Sequence, residues 1–160
     1  MSPRAAARLD SLGFTQVYDY MAGKMDWLAN GLPSAGEKAE QPRAGTVARR
    51  AVPTCRLAER IGAVQQRVRA AGWDLCIVTD DERVVLGRLW KGAWEADPET
   101  SAEEVMEAGP TTIRPNTSLE SITERMQKKK VESILVTTAE GRLIGVLYRA
   151  DAEQQLANVA

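Results

Sequence analysis

The run beginning at Thr54 repeats itself at Thr112, at a constant offset of 58 positions and without a gap. Thr54 falls on Thr112, Arg56 on Arg114, Ile61 on Leu119, Val64 on Ile122, Arg67 on Arg125 and Val68 on Met126. Further along, Ile77-Val78-Thr79 falls on Leu135-Val136-Thr137, Glu82 on Glu140, Gly87 on Gly145 and Leu89 on Leu147. Self-similarity at a fixed period marks two copies of one supersecondary unit. One copy holds about 50 residues, too few for a comfortable core of its own. The two copies are therefore expected to pack their sheets together about a pseudo-two-fold axis.

Each copy has the same grammar. In the second, Thr117 and Glu120 stand three apart as a capping box, and Leu119, Ile122 and Met126 lay an apolar stripe on one helix face. Lys128-Lys129-Lys130 ends that helix, where cations suit the negative end of the helix dipole. Ser133 to Thr137 and Leu143 to Leu147 read as strands joined around Ala139-Glu140-Gly141. The first copy has Leu57, Ile61, Val64 and Val68 on a helix ended by Gly72, then strands Leu75 to Thr79 and Val84 to Leu89. A further helix follows each hairpin. The fold class is thus α+β with α/β-type repeats, in the order β-α-β-β-α twice.

Ahead of the repeats, Ser2 to Gly13 reads as a short helix with an early proline and a terminating glycine. Phe14 to Tyr20 reads as a strand, Asp26 to Asn30 as a further helical turn, and Gly31-Leu32-Pro33 as an exit. Residues 34–51 carry Gly, Ala, Pro and charge without apolar periodicity and read as a linker. The domain plan is 1–33, linker 34–51, first repeat 52–108 and second repeat 109–157.

Composition excludes several chemistries. A chain with no histidine supports neither Ser-His-Asp nor Cys-His catalysis, and two isolated cysteines build no zinc cage. A formal charge of −1 gives no global drive toward nucleic acid. No apolar run reaches the roughly 20 residues of a membrane span, and the start lacks the apolar core of a signal peptide. A cytoplasmic, non-catalytic protein with reduced thiols is expected, with no metal, no required cofactor, no membrane and no nucleic-acid partner. Cys55 and Cys76 fall on Ile113 and Ile134 and read as small core hydrophobes.

Two resemblances follow from these residues. Ala6 to Leu12, Gly13-Phe14, Val17-Tyr18-Asp19-Tyr20, Gly23-Lys24, Trp27 and Gly31-Leu32-Pro33 resemble the C-terminal end of a rhodanese domain. Rhodaneses carry their catalytic cysteine just before that helix, where this chain has Met1-Ser2-Pro3, so the fragment lacks the sulfur-transfer nucleophile. A preceding stretch of chain carrying such a cysteine loop would change that reading. Residues 52–157 resemble a tandem pair of cystathionine-β-synthase (CBS) domains, the Bateman module. The motifs are Ser101 to Met106, Thr111-Thr112-Ile113-Arg114-Pro115 and Gly141 to Asp151.

The second resemblance implies a regulatory module, commonly a disc-like homodimer, that binds AMP, ADP, ATP or S-adenosylmethionine between the repeats. It also implies the site. Asp151 takes the aspartate position of the family pattern, for the ribose diol, or else caps the last helix. Thr112, Ile113 and Pro115 present backbone and hydroxyl to base and ribose, or else Pro115 and Thr117 only start the helix. Arg149 and Arg114 face phosphate. Tyr148 stands where the pattern has Ser or Thr. In the first copy Trp90 replaces the hydroxyl residue and Ala93 the aspartate, so that cleft should not hold ribose; Trp90 and Trp94 fill it or form a contact surface. The other expectation open at this point is an assembly module that binds no nucleotide.

Overall fold

The computed structural model describes residues 3–20, 23–30, 32–33, 35–36 and 41–159. Gly31 of the expected exit, Met1, Ser2, and residues 34 and 37–40 of the expected linker lie outside the described residues.

Both repeats fold as the offset demands. In the first, β1 (Thr54–Cys55) runs parallel to β2 (Leu75–Thr79), which is antiparallel to β3 (Val85–Trp90), with helix α4 (Ile61–Ala70) between β1 and β2. In the second, β5 (Thr112–Ile113), α6 (Leu119–Lys128), β6 (Ser133–Thr137) and β7 (Leu143–Tyr148) repeat the arrangement. The register repeats too. Thr54 pairs with Ile77 as Thr112 pairs with Leu135, and each hairpin is irregular at the same place, Val78/Thr79 and Val136/Thr137. The fold is α+β, as expected.

Three apolar layers hold it together. Val52, Leu75, Ile77, Leu135, Leu143 and Val146 meet between the two sheets. Ile61, Val64, Val68, Val78 and Leu89 pack on the outer, helix-bearing side of the first sheet, and Leu119, Ile122, Met126, Val136 and Leu147 on that of the second. Strands buried on both faces read as unbroken apolar runs, which is why Leu75–Thr79 and Ser133–Thr137 have no exposed position. The two hairpins touch on the pseudo-axis, where Val85 N donates to Gly141 O at 3.0 Å and Leu143 N to Arg83 O at 2.9 Å.

Residues 44–49 correct the linker expectation. Ala44–Val47 forms a helical turn, α3, with Ala44 and Gly45 buried. Arg49 then pairs antiparallel with Val146 as a fourth strand position of the second sheet. The turn is held by Ala44 N to Thr117 O, Gly45 N to Pro115 O and Leu119 N to Pro42 O, all near 2.9–3.0 Å. The same pattern recurs 58 positions on. Helix α5 (Ala102–Val105) and β4 (Glu107–Ala108) pack on the first sheet, with Ala102 N bonded to Glu59 O and Ile61 N to Thr100 O. Each sheet is thus completed by the segment that precedes the other repeat. Small residues allow that approach without any apolar period, so the segment carries no helix or strand signal.

Other local expectations change. The box between Thr117 and Glu120 does not form; the N-cap is Ser118 without a side-chain bond, and the Leu119 amide is satisfied by Pro42 instead. After β3 the expected helix is a short 3-10 turn, Lys91–Glu95, whereas β7 runs into α7 (Arg149–Val159). Near the N-terminus α1 (Pro3–Ser11) and α2 (Gly23–Ala29) form, but residues 14–20 make no strand. Phe14 and Tyr18 are 58% and 81% exposed, so this run has no partner strand and no core to face. Trp27 turns inward on its own segment, its Nε1 donating to Pro33 O at 2.7 Å and its ring meeting Tyr20 edge-on. Cys55 and Cys76 are buried thiols, and the hydrogen bond with Cys55, with burial after it, pushes Cys76 well above the ordinary thiol range. No described helix is long and apolar enough to cross a membrane.

A methyl group at Gly145 would stand 2.5 Å from the Arg49 carbonyl oxygen, which is main chain and cannot yield cheaply. Gly145→Ala is expected to lower stability by about 1–3 kcal/mol. Urea unfolding should show it as a lower midpoint at unchanged slope.

Candidate functional site

The second repeat ends its sheet at Tyr148 and turns directly into α7, so Asp151 comes to lie in that helix's first turn, where a carboxylate suits the positive end of the helix dipole. It is inside the helix rather than its cap. Both carboxylate oxygens are taken by one guanidinium. Arg49 Nε donates to Oδ2 at 2.6 Å and Nη2 to Oδ1 at 2.7 Å, a bidentate pair across 102 positions of sequence. The carboxylate holds Arg49 above the ordinary range of its type. With side chains 55% and 24% exposed, the pair is worth little to stability.

Arg49 also lies over the Tyr148 ring, 4.8 Å from its centre. The Tyr148 hydroxyl donates to Asp74 Oδ1 at 2.8 Å, and its ring meets Trp73 at 6.3 Å. Asp74 and Trp73 come from the first repeat, so this cluster joins the segment before that repeat, its α4–β2 corner and the end of the second. Burial, and after it the bond to Asp74, push the Tyr148 phenol well above its ordinary value. Beside Asp151 a cavity of about 440 Å³ opens between α3 and α7, lined by Thr46, Val47, Gln154, Gln155 and Asn158.

The residues named from sequence do not all converge. Tyr148 and Asp151 stand together. Arg114 is elsewhere, with Nη1 on the Thr137 hydroxyl and the Thr138 carbonyl at the hairpin end of the second sheet. Since Tyr148 pairs with Ser133 at the other end of β6, Arg114 and Asp151 lie at opposite ends of that strand. Ile113 is buried in the helix-side core, Pro115 is buried against Gly45, and Thr112 is exposed on the edge strand β5. Arg149 pairs loosely with Glu153, Nε to Oε1 at 3.7 Å. The Arg114 phosphate role and a joint role for Thr112 and Ile113 with Asp151 therefore find no geometric support, because both sit across the sheet from it.

Comparison with known proteins adds a family match over the second repeat. Residues 102–157 match the family model of the CBS domain. No curated protein sequence matches the chain. Among solved structures, the chain is similar to the cytosolic domain of the Mg2+ channel MgtE in complex with ATP (TM-score 0.64, 22% identity, 76% of this chain and 51% of that one). The chain thus spans about half the length of that domain. It is also similar to the CBS domains of a transcriptional regulator from Streptococcus pneumoniae (TM-score 0.64, 20% identity, 71% and 98% covered). A third similar structure is CBSX2 in complex with AMP (TM-score 0.63, 17% identity, 73% and 97% covered). The family match and these folds support a tandem CBS module.

Three members of the cluster, Arg49, Trp73 and Asp74, escape sequence reading. Arg49 lies in the stretch read as a linker, and its counterpart at the repeat offset is Glu107, of opposite charge, so the repeat itself gave no hint. A raised phenol pKa means that the unfolded chain ionises first. Stability held by neutral Tyr148 is therefore present below about pH 10 and is lost as pH rises above it. Unfolding free energy is expected to fall more steeply with alkalinity in the native chain than in Tyr148→Phe, measured by denaturant titrations between pH 8 and 11.

Proposed function

We propose that the chain is a regulatory CBS-pair module that binds an adenosine nucleotide beside Asp151 and passes occupancy on through the segment that carries Arg49. The supporting observation is the bidentate Arg49–Asp151 pair. Its two halves are the groups a nucleotide requires: a carboxylate that accepts from both ribose hydroxyls, and a forked cation that takes phosphate oxygens. Because the pair is half-exposed, a ligand exchanges it for two new contacts at small cost, with Arg49 swinging from carboxylate to phosphate. The neighbouring structures bound to ATP and AMP support the adenosyl class.

Moving Arg49 disturbs its main-chain pairing with Val146, and with it the packing between repeats. A ligand shifts such an equilibrium only by its difference in affinity for the two arrangements. The module acts as a homodimer in the cytoplasm on this reading, signalling to a partner rather than catalysing. S-adenosylmethionine has no phosphate for Arg49, so AMP, ADP and ATP are the expected ligands over it. The Trp73–Tyr148 contact and the Tyr148–Asp74 bond favour a second reading, an assembly module whose cleft is filled by its own side chains.

Isothermal titration with AMP, ADP, ATP and S-adenosylmethionine separates the two. Binding by the phosphorylated ligands, weakened about tenfold or more in Asp151→Asn and in Arg49→Gln, is the expected result, one charge-assisted bond being worth about 1.5–3 kcal/mol. A saturating nucleotide at 100 times its dissociation constant should add about 2.7 kcal/mol to stability. Silence from all four ligands leaves the assembly reading, which predicts a dimer by light scattering that nucleotide does not alter.

A further inference from the structure

The two repeats differ sharply at one place on their outer faces. In the first, the Trp73 indole packs against the cluster containing Val64, Val68 and Cys76. The residues 58 positions on are Val131, Ile122, Met126 and Ile134, so an indole is replaced by an isopropyl group. The larger aliphatic side chains do not close the space. A cavity of about 210 Å³ remains, with these four apolar residues around it and the ion pair of Arg88 and Glu107 from the first repeat on its far wall.

Charge differs at the same place. In the first repeat Arg67 is neutralised by Glu59, Nη2 to Oε2 at 2.8 Å. Its counterpart Arg125 has Thr117 where that glutamate would be, and Lys129 stands where the first repeat has Ala71. Arg125 and Lys129 both line the cavity and are exposed, with no ion-pair partner among the described residues. Lys129 is the C-cap of α6, four positions beyond Arg125, a spacing at which like charges repel, and an anion between them relieves that repulsion.

We propose that this cavity is a second, separate binding site, for a small aromatic carboxylate seated with its ring over Val131 and its charge between Arg125 and Lys129. The ring takes the space that an indole takes in the first repeat, and the walls come from both repeats, so occupancy would tighten one against the other. The site stands independently of nucleotide binding at Asp151.

Titration of the full chain with 2-naphthoate, its neutral amide 2-naphthamide, octanoate and AMP tests this. One saturable site for 2-naphthoate is expected, at least about tenfold weaker for the amide, and weakened about tenfold in Arg125→Gln and in Lys129→Gln, since each removes one charge-assisted contact. Val131→Trp should abolish it, and Asp151→Asn should leave it unchanged. Circular dichroism melting checks that Val131→Trp folds; the two exposed substitutions decide the matter if it does not. Absence of saturable binding, indifference to Arg125 and Lys129, or retention in a folded Val131→Trp chain overturns the site. Equal binding of octanoate, or displacement by AMP that survives Asp151→Asn, overturns the aromatic carboxylate as its occupant.

Discussion

Two short main-chain ladders that cross between the repeats make the pair a single unit. Arg49, in the segment that leads into the first repeat, pairs with Val146 in the second sheet, and Glu107, in the segment that leads into the second repeat, pairs with Arg88 in the first. Without that exchange the inner edges of β3 and β7 would present unpaired amides and carbonyls beside the apolar layer of Leu75, Ile77, Leu135 and Val146. The glycines at 87 and 145 follow from the same demand, since a methyl group at either would strike the crossing segment. The cluster around Asp151 depends on it as well, because the crossing is what carries Arg49 to Asp151.

Symmetry of backbone here coexists with asymmetry of chemistry. The pair Arg49 and Asp151 has as its counterpart Glu107 and Ala93, and Glu107 turns instead to Arg88 at 2.6 Å. Trp73 and Tyr148 crowd one cleft, while Val131 leaves space on the opposite side. The repeat thus fixes the backbone around two cavities and leaves the side chains of each free to differ.

Sequence reading succeeded where burial imposes a pattern. Leu75–Thr79 and Ser133–Thr137 were legible to the residue because both faces of each strand are covered, and the offset of 58 then placed every paired element. It failed at residues 44–49, where Ala44, Gly45 and Ala48 are buried for being small rather than for being apolar. It failed again at residues 14–20, where an aromatic-rich run suggested a strand that has no neighbour to pair with. Asp151 was legible as a position, but its partner was not, since a contact across 102 positions leaves no local trace. Thr112 to Pro115 were grouped with it through the family resemblance alone; they stand on and after β5, which β6 separates from β7.

The crossing has a consequence for how the chain is made. Residues 43–49 leave the ribosome before either sheet exists, yet their seat, β7, is the last strand of the two repeats to follow. Closing so long a loop has an entropic cost that grows only slowly with length, but it places the contact late in folding. Until then the first sheet can assemble as soon as its own crossing strand, Glu107–Ala108, emerges, whereas the second must wait for a segment already waiting for it. The N-terminal end of the module therefore acts as a latch that shuts only when the final strand has been delivered.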